Sequence, residues 1–538
     1  MKKVLNAGQM REVDRLTTER YNIPGTLLME NAGQAVFSLL TKSFGDPSDL
    51  RVIVVCGRGN NGGDGAVVAR QLWQRGSSVD LFLLGELNTT KGDARINFEI
   101  ARKLSEEESN DVGQLSFTEV KTSNDWRTIY NVLEQYDLLV DAILGTGLNR
   151  PAEGLYGIII KDLAEFCPIP ILSVDLPSGL SADSALAFDP HIKADCTVTF
   201  TSPKPVNVLS PACFAGGELT IAPIGSPEDL IEASGSSLNL VERQDIAAYL
   251  TQSRRAPYSH KGAVGNVLVI AGSRGKTGAA CMTAEAVLRS GAGLVTIASS
   301  ASAQDVIAQR VIPEVMTEPL AETDRGSISH QALESAVELM DKVDVLAIGP
   351  GLSSAEESTR AFVREIINRR TVPVIIDADG LNSLSPWPGE LKGSDELPLI
   401  LTPHPGEMSR LTGLKTSEIQ ERPTEIARDF ATAHSVFLVL KEARTIIASP
   451  DGQVYVNPTG NSGMSTAGAG DVLTGIIAGL LAQKTQLHLG AVLSSVYLHG
   501  LAGNIAAEKS GVRSLIATDI TRSLSEAILT IGGDNEKP

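Results

Sequence analysis

The sequence predicts an α/β protein built as two successive α/β domains, the first a parallel sheet with helices on both faces. Three observations carry this. Short apolar, β-branched runs alternate with helical segments along most of the chain, the signature of βαβ units. The alternation is interrupted once, at GSPEDLIEASGSS (225–237), a polar stretch rich in Gly and Ser that reads as a surface linker. The chain has 538 residues, enough for two to four domains at ~150 residues each. The predicted division is 1–225, a linker at 226–242, and 243–538.

Composition narrows the function classes. Apolar residues at 42% and charged residues at 20% are ordinary for a globular protein. The 46 basic and 64 acidic residues give a net charge of −18. That weighs against nucleic acid or an anionic membrane as partner, while leaving room for a local phosphate pocket. Cys56, Cys167, Cys196, Cys213 and Cys281 are dispersed, with no CxxC and no zinc spacing. They read as reduced thiols in a cytoplasmic protein. The opening MKKVLNAGQMREVDRLTTER lacks the apolar core of a signal peptide, and no run approaches the ~20 apolar residues of a membrane span.

In the first half, 10–16 and 33–40 read as helices flanking a loop at 21–31. RVIVVCG (51–57) is a buried strand, AVVARQLWQRG (66–76) a helix ended by Gly, and VDLFLLG (79–85) the next strand. Segments 137–145, 170–179 and 196–201 read as further strands. Ligands gather at the carboxyl ends of such strands. Three loops there set Gly beside Asp, Asn, Ser or Thr: GRGNNGGDG (57–65), DAILGTGLNRP (141–151) and DLPSG (175–179). Asn61, Asp141 and Ser178 offer hard oxygen ligands with one formal charge among them, which favours a monovalent ion over magnesium. Gly57, Gly59 and Gly62 fit the dinucleotide fingerprint GxGxxG after a strand, a Rossmann-like feature. Asp64 reads either as a ligand-facing acid or as the cap of the following helix. Asp175 ends a buried strand, where a carboxylate needs a partner. Cys56, in an apolar strand, reads as core.

The motifs GRGNNGGDG, DAILGTGL and DLPSG, in this order, resemble the epimerase domain of the NAD(P)H-hydrate repair system over about residues 1–225. The resemblance implies that R and S epimers of a hydrated nicotinamide nucleotide are interconverted at the hydroxyl-bearing carbon. Carried onto this chain, Asn60, Asn61, Gly62, Gly63, Asp64, Gly145, Thr146, Gly147, Leu148, Asn149, Arg150, Pro151, Tyr156 and Asp175 contact the substrate. Asn61, Asp141 and Ser178 hold potassium. Asp175 takes the acid–base role, since a hemiaminal carbon epimerises when its hydroxyl leaves with a proton and water returns on the other face.

In the second half, NVLVIAG (266–272), LVTIAS, VDVLAIGPG, VPVIIDADGLN, LPLILTPHPGE and VFLVLKEART form a second set of strand-plus-loop units. SRGKTG after the first of these looks like a P-loop, but that pattern demands Gly five positions before Gly275, and Ile270 stands there. GNSGMSTAGAGDVLTG (460–475) passes from a Gly-rich loop into a helix whose Val472, Leu473, Ile476, Ile477, Leu480 and Leu481 share a face. Gly475, Gly479 and Ala482 form a small-residue stripe suited to close helix packing. The loop aims backbone N–H groups at an anion site. Asp471 at its mouth reads either as a base for a hydroxyl or as an N-cap. Lys441 ends an apolar strand, and a buried ammonium needs an anion. Asp377 and Asp379 read as strand-end acids, His404 as a turn residue between two prolines or a ligand contact, and Met464 as loop packing.

The loop with its Asp, residues 467–471, resembles the phosphate-holding end of the ribokinase-like fold. HKGAVGNVLVIAGS, LRSGAGLVT, GPGL, DADGLN, LTPHPGE and NPTGNSGM together resemble the NAD(P)H-hydrate dehydratase over about 243–525. The resemblance implies dehydration of the S-hydrate at the expense of ADP or ATP with Mg2+. Gly351, His404, Pro405, Gly406, Glu407, Met408, Ser409, Arg410 and Asp471 match hydrate-binding positions. Lys441, Glu442, Ala443, Arg444, Thr445, Asn461, Ser462, Gly463, Met464, Ser465, Thr466, Ala467, Gly468, Ala469 and Gly470 match nucleotide-binding positions. Glu442 replaces the Gly usual after the Lys; Ala467 and Ala469 replace the commoner Gly and Ser. The expectation is a bifunctional repair enzyme acting on small molecules, a homo-oligomer without nucleic-acid or membrane partners. The alternative is a sugar or vitamin-precursor kinase with a dinucleotide-sensing first domain.

Overall fold

The computed structural model describes residues 1–107, 113–253, 255, 258–483 and 487–532. Arg254, Ala256 and Pro257 of the lead-in to the second half, and 533–538 of its predicted end, lie outside them. The chain divides into two compact units, Lys2–Ser236 and Ser237–Pro538, the second including Met1.

The first unit holds a seven-stranded, wholly parallel sheet. Its order is Leu115–Val120, Ser78–Leu84, Arg51–Cys56, Leu138–Ala142, Ile171–Val174, Cys196–Phe200 and Glu218–Ala222. Alternation along a strand sends side chains to opposite faces. Val52, Val54 and Cys56 pack with helices Gly25–Phe44, Asn60–Gln74 and Gly92–Ser105, whereas Ile53 and Val55 pack with Ser123–Tyr130 and Gly154–Glu165. Burial on both faces is why the central strands read as unbroken apolar runs. The outer strands Leu115–Val120 and Glu218–Ala222 are only partly buried and give no such run, so the sequence reading omits them.

Helix boundaries differ from expectation in three places. Helices Ala7–Tyr21 and Gly25–Phe44 leave only Asn22 to Pro24 between them, so most of the predicted loop at 21–31 is helical; Pro24 precedes the helix, where its missing N–H costs nothing. The third helix begins at Asn60, six residues before the predicted start. Its glycines answer packing rather than propensity: a β-carbon at Gly62 would lie 1.8 Å from the Gly57 carbonyl oxygen. Asp64 therefore sits inside this helix and is not its cap. The polar stretch at 225–237 is also structured in part: helix Glu228–Glu232 buries Leu230 and Ile231.

The ten strands of the second unit run Leu238–Leu240, Val454–Val456, Ile446–Ala448, Phe437–Leu440, Leu399–Leu401, Val374–Ile376, Val345–Ile348, Asn266–Ile270, Leu294–Ser300 and Met316–Leu320. Pairing is parallel except on the two sides of Ile446–Ala448. One core joins Val267, Val269, Val345 and Ile375 of the sheet to helices Thr277–Arg289, Ala469–Gln483, His488–Ser510 and Ala517–Gly532. His488–Ser510, at 23 residues, is long and apolar enough to cross a membrane by length and composition, contrary to the sequence reading. Two-thirds of its most apolar 18-residue stretch is buried, and it contributes Ala491, Val492, Val496 and Ala502 to the core, as a central helix of an α/β domain does. All five cysteines are free thiols.

Candidate active sites

In the first unit, the loops after the parallel strands open into a cavity of about 870 Å³. Asn60, Asn61, Asp64, Gly145, Thr146, Gly147, Leu148, Asn149, Arg150, Pro151, Tyr156 and Asp175 all line it. Gly62 and Gly63 do not; they face the Gly57 backbone and Met29 with Ala94, respectively. The Tyr156 hydroxyl accepts from the Arg58 backbone N–H (3.2 Å) and donates to the Leu84 carbonyl (3.1 Å), which fixes the ring at the rim.

Asp175 follows strand Ile171–Val174 with φ 66°, a left-handed backbone that non-glycine residues adopt mainly where the surroundings impose it. Its partner is a residue that sequence reasoning missed. Lys204, 2% exposed, donates from Nζ to Asp175 Oδ1 (2.7 Å), to Thr199 Oγ1 (2.8 Å) and to the Phe200 carbonyl (3.1 Å). Thr199 Oγ1 also donates to Asp175 Oδ1 (3.0 Å). The signal was present in TSPKPV: a Lys between prolines just after a buried strand has nowhere to place its charge without an anion. Asp14, from the first helix, is a second unpredicted lining residue. Burial pushes its carboxyl up to about 6, against the pull of Lys204 and with a further push from Asp175. Burial, then Asp175 and Asp14, raise Asp64 well above the carboxylate range, with Lys204 opposing.

Asn61, Asp141 and Ser178 converge on the 144–145 turn. Asp141 is wholly buried; it accepts from Ser178 Oγ (2.5 Å), Ser178 N (2.9 Å) and Ser173 Oγ (2.8 Å). Ser178 Oγ in turn accepts from Leu144 N (2.9 Å), and Asn61 Oδ1 lies 3.3 Å from where a β-carbon of Gly145 would be. Burial raises Asp141, with the Ser178 hydroxyl and N–H pulling it down. Both polar atoms of the Asn61 amide are buried without a hydrogen-bond partner. An orphaned carbonyl oxygen beside a buried carboxylate and a hydroxyl is a set of hard oxygen atoms of the kind that cations take as ligands.

In the second unit, four loops meet at the carboxyl end of the sheet. Asp377, read from sequence only as a strand-end acid, is the hub. Oδ1 accepts from Lys441 Nζ (2.8 Å) and Thr402 Oγ1 (2.7 Å); Oδ2 accepts from Thr474 Oγ1 (2.9 Å). Glu407 Oε2 stands 4.0 Å from Lys441 Nζ. Burial alone would lower Lys441, but Asp377, Glu407 and Asp471 raise it, so it stays an ammonium. A β-carbon at Gly470 would sit 3.3 Å from Lys441 Nζ, which puts the charge beside the Gly-rich loop. Asp471 is the third residue of helix Ala469–Gln483, inside the first turn and not at its cap. Burial and then Asp377 push its carboxyl up to about 7, with Lys441 opposing.

The other expected contacts divide. His404 Nδ1 accepts from Gly406 N (3.0 Å) and Glu407 N (3.4 Å) and caps helix Pro405–Thr412, leaving Nε2 as its remaining polar atom. Glu407 completes the cap by accepting from His404 N (3.0 Å). Met408 and Leu411 are buried beneath, and Arg410 Nε donates to Asn382 Oδ1 (2.8 Å). Gly351 approaches Lys276, whose Nζ reaches Asp379 (3.1 Å). Glu442, half-buried and raised by burial, accepts from Gln420 (3.4 Å). Arg444 reaches the Pro458 carbonyl, Thr445 Oγ1 donates to the Glu442 carbonyl (3.2 Å), and Asn461 Nδ2 donates to Asn504 Oδ1 (3.0 Å). Met464 packs on Gly503. Among the described residues no three His, Cys, Asp or Glu side chains form a metal cluster. A magnesium arriving on a nucleotide fits this setting, since it takes its oxygens largely from phosphates, water and one or two carboxylates.

Comparison with known proteins agrees with the two-unit layout. Residues 25–206 match the family model described as YjeF-related protein N-terminus, and 267–526 match that described as NAD(P)H-hydrate dehydratase. The chain is 43% identical over 536 residues to the bifunctional NAD(P)H-hydrate repair enzyme Nnr of Moorella thermoacetica, covering 98% of each. It is 33% identical over 504 residues to that of Escherichia coli, covering 93% of this chain and 89% of the relative. A solved ADP/ATP-dependent NAD(P)H-hydrate dehydratase from Bacillus subtilis, co-crystallised with ATP and Mg2+, is 32% identical and covers 55% of this chain and 98% of its own, with a TM-score of 0.48.

Proposed function

Because this chain belongs to the family of bifunctional NAD(P)H-hydrate repair enzymes, we propose that its two units act in turn on one damaged cofactor. The first unit interconverts the R and S hydrates of NADH or NADPH. The second dehydrates the S form at the expense of ADP or ATP. The observation that carries this reading is that each unit has its own lysine–aspartate pair at the carboxyl end of its own sheet: Lys204 with Asp175, and the partly buried Lys441 with the buried Asp377. Beside each pair stands an acid whose proton affinity lies near neutrality, Asp14 in one and Asp471 in the other.

In the first unit the hydrate occupies the 870 Å³ cavity, within the range of small-molecule sites. Asn60, Asn61, Asp64, the 145–151 loop and Tyr156 enclose it. Asp175 takes the proton of the water that re-adds to the hydroxyl-bearing carbon. Asn61, Asp141 and Ser178 would hold a potassium ion, which would supply positive charge to the site.

In the second unit the Gly-rich loop and the start of helix Ala469–Gln483 bind phosphates through backbone N–H groups. Lys441 balances their charge. Asp471 removes the proton of the substrate hydroxyl as its oxygen attacks the terminal phosphorus; the bond from that phosphorus to the bridging oxygen breaks. The phosphate ester then expels inorganic phosphate, a proton leaves the adjacent carbon, and the ring double bond is restored. A magnesium ion carried on the nucleotide would supply positive charge to the phosphates, beside that of Lys441. Free thiols throughout suit a cytoplasmic setting.

The test is Asp471→Ala. Dehydration of the S-hydrate is lost while epimer exchange continues at the wild-type rate. Dehydration retained above about a tenth of wild type, a barrier change of only ~1.4 kcal/mol, would remove Asp471 from its role.

A further inference from the structure

We propose that Asp14, on the first helix, is the acid of the epimerisation, supplying the proton that Asp175 is not arranged to give. The inference rests on the epimerase reading of the first unit. Asp14, Asp64, Asp175 and Lys204 all line its cavity. One Asp175 oxygen, Oδ1, accepts from both Lys204 Nζ and Thr199 Oγ1; the residue is built as an acceptor. Three carboxyls thus gather around one buried ammonium, Lys204, the cation that acts on both Asp14 and Asp64. Asp64 is 8% exposed, and no hydrogen bond contributes to its state. Asp14 Oδ1 is sealed from solvent with no partner. One lysine balances one carboxylate, and further unpaired charge at buried carboxyl oxygens is costly. Protons therefore remain on the other two.

Asp14 is the better donor of the two. Asp64 is buried in the body of its helix and holds its proton firmly. An acid that must give a proton and recover it at each turnover works best with an affinity near the working pH, which describes Asp14. Its place also needs explaining: on helix Ala7–Tyr21, Met10, Val13 and Thr17 are buried, and Asp14 lies one turn from Met10, which lines the cavity beside it. The remaining charged groups lining the cavity are Arg11, Arg58, Asp93, Arg150 and Glu153.

The step balances as follows. The Asp14 carboxyl gives its proton to the substrate hydroxyl; the carbon–oxygen bond breaks, water departs, and the ring nitrogen's electron pair forms a carbon–nitrogen double bond. Water adds to the other face, its oxygen bonding the carbon as the pair returns to nitrogen. The Asp175 carboxylate accepts its proton, and transfer of that proton to Asp14 resets the pair.

The experiment starts from pure R-hydrate without nucleotide and follows the S epimer chromatographically from about pH 5 to about pH 9. Wild type shows a rate that falls on the alkaline side. Asp14→Asn lowers the neutral-pH rate by about 100-fold or more and loses the alkaline fall, and its thermal melt reports whether the unit remains folded. Asp14→Glu restores much of the rate with the fall displaced along the pH axis. The inference is overturned if Asp14→Asn stays within about threefold of wild type, or if the alkaline fall persists in both variants. Absence of exchange in wild type would instead overturn the epimerase reading itself.

Discussion

In its proposed role as base, Asp471 sets the pH behaviour of dehydration. Burial and Asp377 lift its carboxyl to about 7, and a base acts only when ionised. The account therefore predicts that kcat/KM for the S-hydrate rises about tenfold per pH unit below about 7 and levels off above it. A profile already flat one unit below that value would contradict the assignment. The same shift has a stability sign. Between 3.8, the value in the unfolded chain, and about 7, the folded state holds the proton that the unfolded chain has released. In that window rising pH erodes stability, and above about 7 the ionised Asp471 opposes the fold in full. Asp175, Lys441 and Asp471 were legible in sequence because each ends a strand or a Gly-rich loop. Lys204 and Asp377 were not assigned roles, because what sets them apart is a partner far away in the chain: Lys204 is 29 positions from Asp175 and Lys441 is 64 from Asp377. Spacing along the chain does not reveal such pairs; a buried charge without an evident counter-ion does.

The helix that carries Asp471 depends on its small-residue stripe. A β-carbon at Gly475 would lie 2.2 Å from the Thr283 carbonyl oxygen of the neighbouring helix, and one at Gly479 would lie 2.0 Å from Ser290 Oγ. Alanine gains about 1 kcal/mol over glycine in an open helix. Here the contact at Gly475 is backbone, which cannot swing aside, so overpacking outweighs propensity. Gly475→Ala is expected to destabilise the second unit by ~1–3 kcal/mol in denaturant unfolding and to lower dehydration by shifting the first turn; a gain in stability would show that the helices are not packed this closely. The stripe was visible in the sequence because glycine at i and i+4 has few other uses in a buried helix. Strands were visible where both faces are buried, as at Arg51–Cys56, and lost at the partly buried edges. The start of helix Asn60–Gln74 was missed because packing against Gly57, not helix propensity, puts glycines there.

The whole chain reads as two chemistries joined by one substrate. The fold class and the family follow from motifs spread over nearly its entire length, and the family matches cover both units. The pairing is useful because a dehydratase that accepts one epimer leaves the other behind. Separate lysine–aspartate pairs predict that the activities fail separately. The most direct measurement supplies pure R-hydrate with ATP, magnesium and potassium and follows the near-ultraviolet absorbance of reduced nicotinamide. Wild type restores it fully; Asp175→Asn restores none beyond spontaneous epimerisation, yet dehydrates pure S-hydrate at the wild-type rate. Recovery from R-hydrate at an undiminished rate in Asp175→Asn, or loss of both activities from that one change in a folded chain, would contradict the account.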